Sequence, residues 1–151
     1  MCGMVLLRFF PGIATLAVGQ NGTMLPVLAI CIGACVGALS RWGLALWLTP
    51  GGVIPWGTLA ANLIGGYLVG VCLAIFQSMP QLDPVWRLLL VTGFLGGLTT
   101  FSSFSAEVVI YLMEERYGLA VVTAMLHVLG SLLMTVVGVK SAMFFIAARA
   151  H

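Results

Sequence analysis

Apolar residues run almost without interruption along this chain, in four stretches of membrane-spanning length separated by short polar or Gly/Pro-rich turns. A helix that crosses a bilayer needs about 20 apolar residues, and the stretches at about Leu25 to Leu48, Gly57 to Phe76, Val85 to Leu112 and Leu119 to Ala147 each meet that length. Between them lie a turn with Thr49, Pro50, Gly51, Gly52 and Pro55, a turn from Ser78 to Pro84 that holds Asp83, and the charged Glu114, Glu115 and Arg116. Trp56, Trp86 and Arg87 stand at the ends of spans, where amphipathic side chains anchor at the membrane-water boundary.

Small residues recur at the spacing that lets helix backbones approach in lipid: Gly33 and Gly37 in the first span, Gly66 and Gly70 in the second. The third span breaks the pattern. Its middle reads Thr92-Gly93-Phe94-Leu95-Gly96-Gly97-Leu98-Thr99-Thr100-Phe101-Ser102-Ser103-Phe104-Ser105, with glycines and hydroxyls crowded at bilayer depth. Paired glycines weaken a helix, and irregular backbone at that depth survives where protein buries it or where it lines a polar cavity. The run therefore predicts a helix break near Gly96 to Thr100.

Residues 1–24, with Arg8, Pro11 and Gly12, are too short and broken for a fifth span and are expected to form a frayed or interfacial extension. Residues 25–147 form a four-helix transmembrane domain, and 148–151 a tail.

Composition strengthens this reading: 62% of residues are hydrophobic and 7% charged, with a mean hydropathy of +1.18, whereas soluble domains carry about a quarter charged residues. Lipid is the solvent for most of the chain. The net charge of +2 comes from single, scattered basic residues, which excludes the clustered footprint of a nucleic-acid binder. Arg8, Arg87, Lys140 and Arg149 fall on one side of a four-span arrangement, Arg41 and Arg116 on the other. Such a slight bias is compatible with insertion both ways round, hence with an antiparallel dimer, or with one topology set by Arg8, Lys140 and Arg149. Cys31, Cys35 and Cys72 lie inside spans and read as small apolar residues rather than metal ligands.

Within the spans a few polar groups stand out. The Asn62 amide costs free energy in hydrocarbon unless partnered, and serves either to bond helices together or to offer its N–H donors to a dehydrated anion. Phe101 and Phe104 share a helix face beside Ser102, Ser103 and Ser105. They are packing residues, or they present the positive ring edge to an anion without the full charge that traps it. His127, Ser131 and Thr135, spaced by four, make a polar stripe down span four, and Glu107 is an intramembrane carboxylate. Together they mark a hydrated pathway or a polar helix interface, with His127 read as structural polarity.

Arg41 after the Gly-rich first span, the run Gly57-Thr58-Leu59-Ala60-Ala61-Asn62-Leu63, and the sequence from Thr92 to Glu107 resemble the CrcB/Fluc fluoride channels over roughly Leu25 to Ala147. The resemblance implies an all-α integral membrane protein, four transmembrane helices with a broken third, assembled as an antiparallel dual-topology homodimer in a bacterial inner membrane. It implies passive export of cytoplasmic fluoride and no enzymatic activity. Carried onto this chain, Asn62, Phe101, Phe104, Ser102, Ser105 and Ser131 line the fluoride pathway. Glu107 and Thr135 belong to an outer polar track, Arg41 to the vestibule, and the backbone carbonyls of Gly96 and Thr99 hold a structural sodium ion. The partners implied are fluoride, lipid and a second copy of the chain. The N-terminal extension and His127 lie outside the residues that carry the resemblance.

Two other functions share this frame. A small proton-coupled multidrug antiporter needs a carboxylate in its first span, which has none here. A non-transporting scaffold would use the GxxxG faces for assembly alone. No Walker-type GxxxxGK[ST] run occurs, so ATP-driven pumping by this chain is not expected.

Overall fold

The computed structural model describes residues 24–49 and 55–149, all helix and connecting turn with no strand among them. The N-terminal extension up to residue 23, part of the first turn and the last two residues lie outside the described chain. Four segments are long and apolar enough to cross a membrane: Met24–Leu48, Trp56–Ser78, Pro84–Met113 and Tyr117–Arg149.

Helix α1 spans Met24–Leu48 and α2 Trp56–Ser78. The third span opens with Pro84–Arg87, whose start is set by the Asp-Pro pair: Asp83 Oδ1 accepts from Val85 N–H at 2.9 Å, and Pro84 occupies the position where a missing N–H costs nothing. It continues through Leu88–Leu95 as a π-helix, with Gly96 N–H donating to Val91 five residues back, and closes with Gly96–Leu98. These three pieces run continuously and are called α3. Thr99 and Thr100 are extended. Helix α4, Phe101–Met113, follows under a cap in which Thr100 Oγ1 accepts from Ser103 N–H at 3.2 Å. Helix α5 spans Tyr117–Arg149, 33 residues or about 50 Å, well beyond the roughly 30 Å of hydrocarbon it must cross.

Gly96 and Gly97, which the sequence marks as the weak point, remain helical, and the extended residues are the two threonines after them. Gly97 serves close approach: a Cβ there would stand 2.5 Å from Ala34 O on α1. The π-helical turn ahead of it has no signature in the sequence, because nothing in an apolar run distinguishes bonds to the fourth from bonds to the fifth residue back.

Burial is inverted relative to a soluble protein. Large apolar side chains such as Ile32, Leu39, Leu46, Leu129, Leu132, Leu133 and Phe144 face outward, whereas buried positions are mostly small, as with Ala29, Ala61 and Ala74 and with Gly33, Gly37, Gly66 and Gly70. Lipid satisfies the large residues, and small ones let backbones touch. The most extensive packing pairs are α2 with α5 and α1 with α3. A core of Ala61, Leu95 and Leu98, flanked by Leu44, Leu68 and Phe94, ties the two pairs together beside Thr99 and Thr100.

The α4–α5 turn is a Schellman arrangement: Arg116 N–H donates to Tyr111 O at 2.9 Å and Glu115 N–H to Leu112 O at 3.1 Å. It forces Glu115 to φ 58°, in the left-handed region. A side chain there costs about 1 kcal/mol that glycine avoids. Glu115→Gly is therefore expected to stabilise the protein by up to about 1 kcal/mol, read as a higher melting temperature in detergent; a lower one would count against the strain.

Candidate functional site

The two extended threonines stand where α2, α4 and α5 meet, and Asn62 holds them there. Thr100 N–H donates to Asn62 Oδ1 at 2.8 Å, and Asn62 Nδ2 donates to Thr100 O at 3.0 Å. The side-chain amide thus pairs with one peptide unit much as a neighbouring strand would. In an unbroken helix the Thr100 N–H would reach back four residues to Gly96 O; Asn62 takes it instead. Similarly, Ser103 N–H, the ordinary helical donor to Thr99 O, goes to the Thr100 hydroxyl. The segment stays extended because side chains replace the helical bonds that it forgoes.

The second Asn62 N–H meets His127 Nδ1 at 2.9 Å. His127 is 5% exposed, and its ring stacks on Phe104 with centroids 4.7 Å apart and planes inclined by 19°. Its other nitrogen, Nε2, lies 3.9 Å from Glu107 Oε2, which has no hydrogen-bond partner. The Thr58 hydroxyl hydrogen-bonds the same carboxyl group. Hydrogen bonds thus join His127, Asn62 and Thr100 across α5, α2 and the start of α4, each satisfied partner lowering the cost of burying the next, while Glu107 Oε2 stands beside the imidazole without a hydrogen bond of its own.

The aromatic pair divides. Phe104 is 8% exposed and packed inside, whereas Phe101 is 76% exposed. Their rings meet edge to face, with centroids 5.3 Å apart and planes at 73°, the arrangement that turns a positive ring edge toward a negative face. The hydroxyls of Thr100 and Ser102 lie 3.2 Å apart at the start of α4. Ser105 Oγ donates back to Phe101 O at 2.9 Å.

Farther along α5, Thr135 Oγ1 lies 2.9 Å from Ser131 O and 3.1 Å from Gly66 O on α2, so the stripe His127, Ser131, Thr135 faces α2. Arg41 Nε donates to Gly97 O at 3.2 Å, which brings its guanidinium to the end of α3. Asn62, Phe104, Glu107 and His127 thus converge, Arg41 sits at the end of α3, and Ser131 and Thr135 lie along the α2–α5 seam. No group of three or more His, Cys, Asp or Glu side chains that could hold a metal occurs among the described residues, and Cys31 and Cys35 are exposed on α1.

Sequence reasoning gave Thr58 and Thr100 no role of their own. Thr58 was legible as the residue one turn before Asn62 on the same helix face, and Thr100 as a hydroxyl just ahead of a helix start.

Residues 28–139 match the family model described as "CrcB-like protein, Camphor Resistance (CrcB)". The "Fluoride-specific ion channel FluC" of Albidiferax ferrireducens is 68% identical over 124 residues, 82% of this chain and 95% of that protein. The protein of the same description from Variovorax paradoxus is 68% identical over 118 residues, 78% of this chain and 94% of its own length. That from Paracidovorax citrulli is 62% identical over 124 residues, 82% of this chain and 98% of its own. A match that spans most of the four helices, at identities this high over nearly the full length of the relatives, means that the chain belongs to the CrcB/Fluc family.

Proposed function

We propose that this chain is the subunit of a passive, fluoride-selective channel that lets fluoride leave the cytoplasm across the bacterial inner membrane, and that it works as an antiparallel, dual-topology homodimer. The observation that carries the reading is the junction of the third span: at bilayer depth the chain sets hydroxyls and edge-to-face phenylalanines around an extended threonine pair, in a family whose relatives are named fluoride-specific channels. Fluoride sheds water stepwise onto hydroxyls such as Ser102, Ser105 and Ser131 and onto the ring edges of Phe101 and Phe104, weak partners that also release it. Asn62 borders this path, with Glu107 and Thr135 in the outer track and Arg41 drawing anions to the vestibule.

Exposure supports a second copy. Thr92, Gly96, Phe101 and Ser102 are exposed in the single chain although the span around them is apolar, and polar groups facing lipid are costly unless covered. The lack of a strong charge bias supports insertion in both orientations.

The residues also fit a sodium ion. Thr100 N–H and Ser103 N–H are engaged elsewhere, so the carbonyls of Gly96 and Thr99 are without their ordinary helical donors and are the hard oxygen ligands such a cation takes. A bound cation would neutralise those dipoles at the dimer centre. Preparing the protein with a larger monovalent cation in place of sodium is expected to weaken the dimer or its conduction; full indifference would remove the ion from the proposal.

The deciding experiment loads liposomes with potassium fluoride and shunts the potential with valinomycin. Fluoride efflux is expected; proton movement driven by a cationic drug, without fluoride flux, would identify an antiporter instead. In the same assay Phe101→Ile and Phe104→Ile are each expected to lower flux about fivefold, since an aromatic contact is worth about 1 kcal/mol beyond its area, with the dimer retained by size-exclusion chromatography. Parental flux in both variants would remove the ring edges from the pathway.

A further inference from the structure

We propose that His127 is a positioning residue for conduction: as a neutral imidazole with its proton on Nε2, it accepts from the Asn62 amide and thereby holds that amide against Thr100. The inference rests on the channel reading above and on one hydrogen-bond assignment. Thr100 presents an N–H to one end of the Asn62 amide and a C=O to the other, so the amide cannot be flipped without setting donor against donor. The end facing His127 is therefore the N–H end. A nitrogen that meets an amide N–H at 2.9 Å is the acceptor, so Nδ1 carries no proton, and the neutral ring carries its proton on Nε2.

That proton points to the Glu107 side, where Oε2 is 3.9 Å away and otherwise unpartnered. Glu107 is the titratable side chain that faces the imidazole. Phe104, stacked on the ring, fixes its plane. His127 thus stands against three of the residues assigned to the pathway and its track, Asn62, Phe104 and Glu107, and acts on the extended Thr100 through Asn62. Without the Nδ1 acceptor, one Asn62 N–H in this part-buried site loses its partner, and the amide turns away from Thr100 to find another.

Asparagine places an oxygen near where Nδ1 stood; leucine approaches the volume of the imidazole without any acceptor. A packing role favours leucine, and a positioning role favours asparagine. In liposomes His127→Leu is expected to lower fluoride flux about tenfold or more, the loss of roughly one hydrogen bond to a buried donor. His127→Asn is expected to keep at least about a third of parental flux. Nitrogen-15 NMR of histidine-labelled full-length protein in bilayers, assigned by the signal lost in His127→Asn, is expected to show Nδ1 unprotonated and Nε2 protonated. A protonated Nδ1, parental flux in His127→Leu, or equal impairment of both variants would overturn the proposal. Failure of the channel reading looks different: the parental protein would then pass no fluoride, and the NMR signature alone would still decide the tautomer.

Discussion

Replacing Asn62 with leucine is expected to reduce fluoride flux by about a hundredfold or more and to lower the melting temperature of the protein in detergent. Leucine matches the amide in size, so the effect comes from lost bonds rather than lost volume. Three are removed together: those to Thr100 N–H, Thr100 O and His127 Nδ1. Each leaves a group without a partner in a region where water is scarce, at about 1–3 kcal/mol apiece, and a loss of about 2.7 kcal/mol in the conducting arrangement is already a hundredfold in rate. Thr100 N–H then has one nearby alternative, the helical bond to Gly96 O, so the extended segment tends to close into continuous helix. Asn62→Asp keeps an acceptor for Thr100 N–H and is expected to be less destabilised than the leucine variant. Parental flux and stability in Asn62→Leu would show that the amide is not what holds the threonines open.

The second large effect is expected from Gly70→Leu, which should abolish recovery of folded protein. A Cβ at this position would overlap Thr135 O and stand 2.8 Å from Val139 N, both backbone atoms of α5. Backbone cannot rotate aside as a side chain can, so α2 and α5 must separate along their main seam, and overpacking of this kind costs about 3 kcal/mol or more. The same seam carries the Thr135 to Gly66 hydrogen bond and the Tyr67 to Ser141 contact at 3.2 Å, which separation would also loosen. Gly43 supplies the control, because nothing lies within 4 Å of a Cβ there. Gly43→Ala is expected to be neutral or to stabilise the helix by up to about 1 kcal/mol. Folded, monodisperse Gly70→Leu protein would contradict the packing described.

The Asn62 and Gly70 variants probe different levels of the fold. Gly70 acts on the pairing of whole helices, which GxxxG spacing in α2 already announces, since small residues four apart in an apolar run lie on one face and have no other evident use in lipid. Asn62 acts on a contact between α2 and the start of α4 that no local pattern states. Its residue type raises the question of a partner, because an amide in hydrocarbon needs one, but the partner lies 38 residues away in sequence. Fold class and span positions were legible for the first reason: solvent preference sums over some twenty side chains, so each span is over-determined, and its observed ends fall close to those read from the turns.

What the sequence determined by itself was the membrane as solvent, four spans, an irregular middle to the third, and the residue types around it, because all of these follow from composition and spacing within single segments. Tertiary structure decided the rest. Within the stretch from Gly96 to Thr100 it set the irregularity at Thr99 and Thr100, since the glycines are held helical or packed against α1 while the threonines find replacement bonds on α2 and within the α4 cap. It buried Phe104 and exposed Phe101, three residues apart on one helix face. It took His127, legible only as structural polarity in the stripe with Ser131 and Thr135, and set it between Asn62, Phe104 and Glu107, because stacking and hydrogen bonding depend on which helices meet and at what height. Hydropathy places a residue in the membrane, but distances across helices decide what that residue can do there.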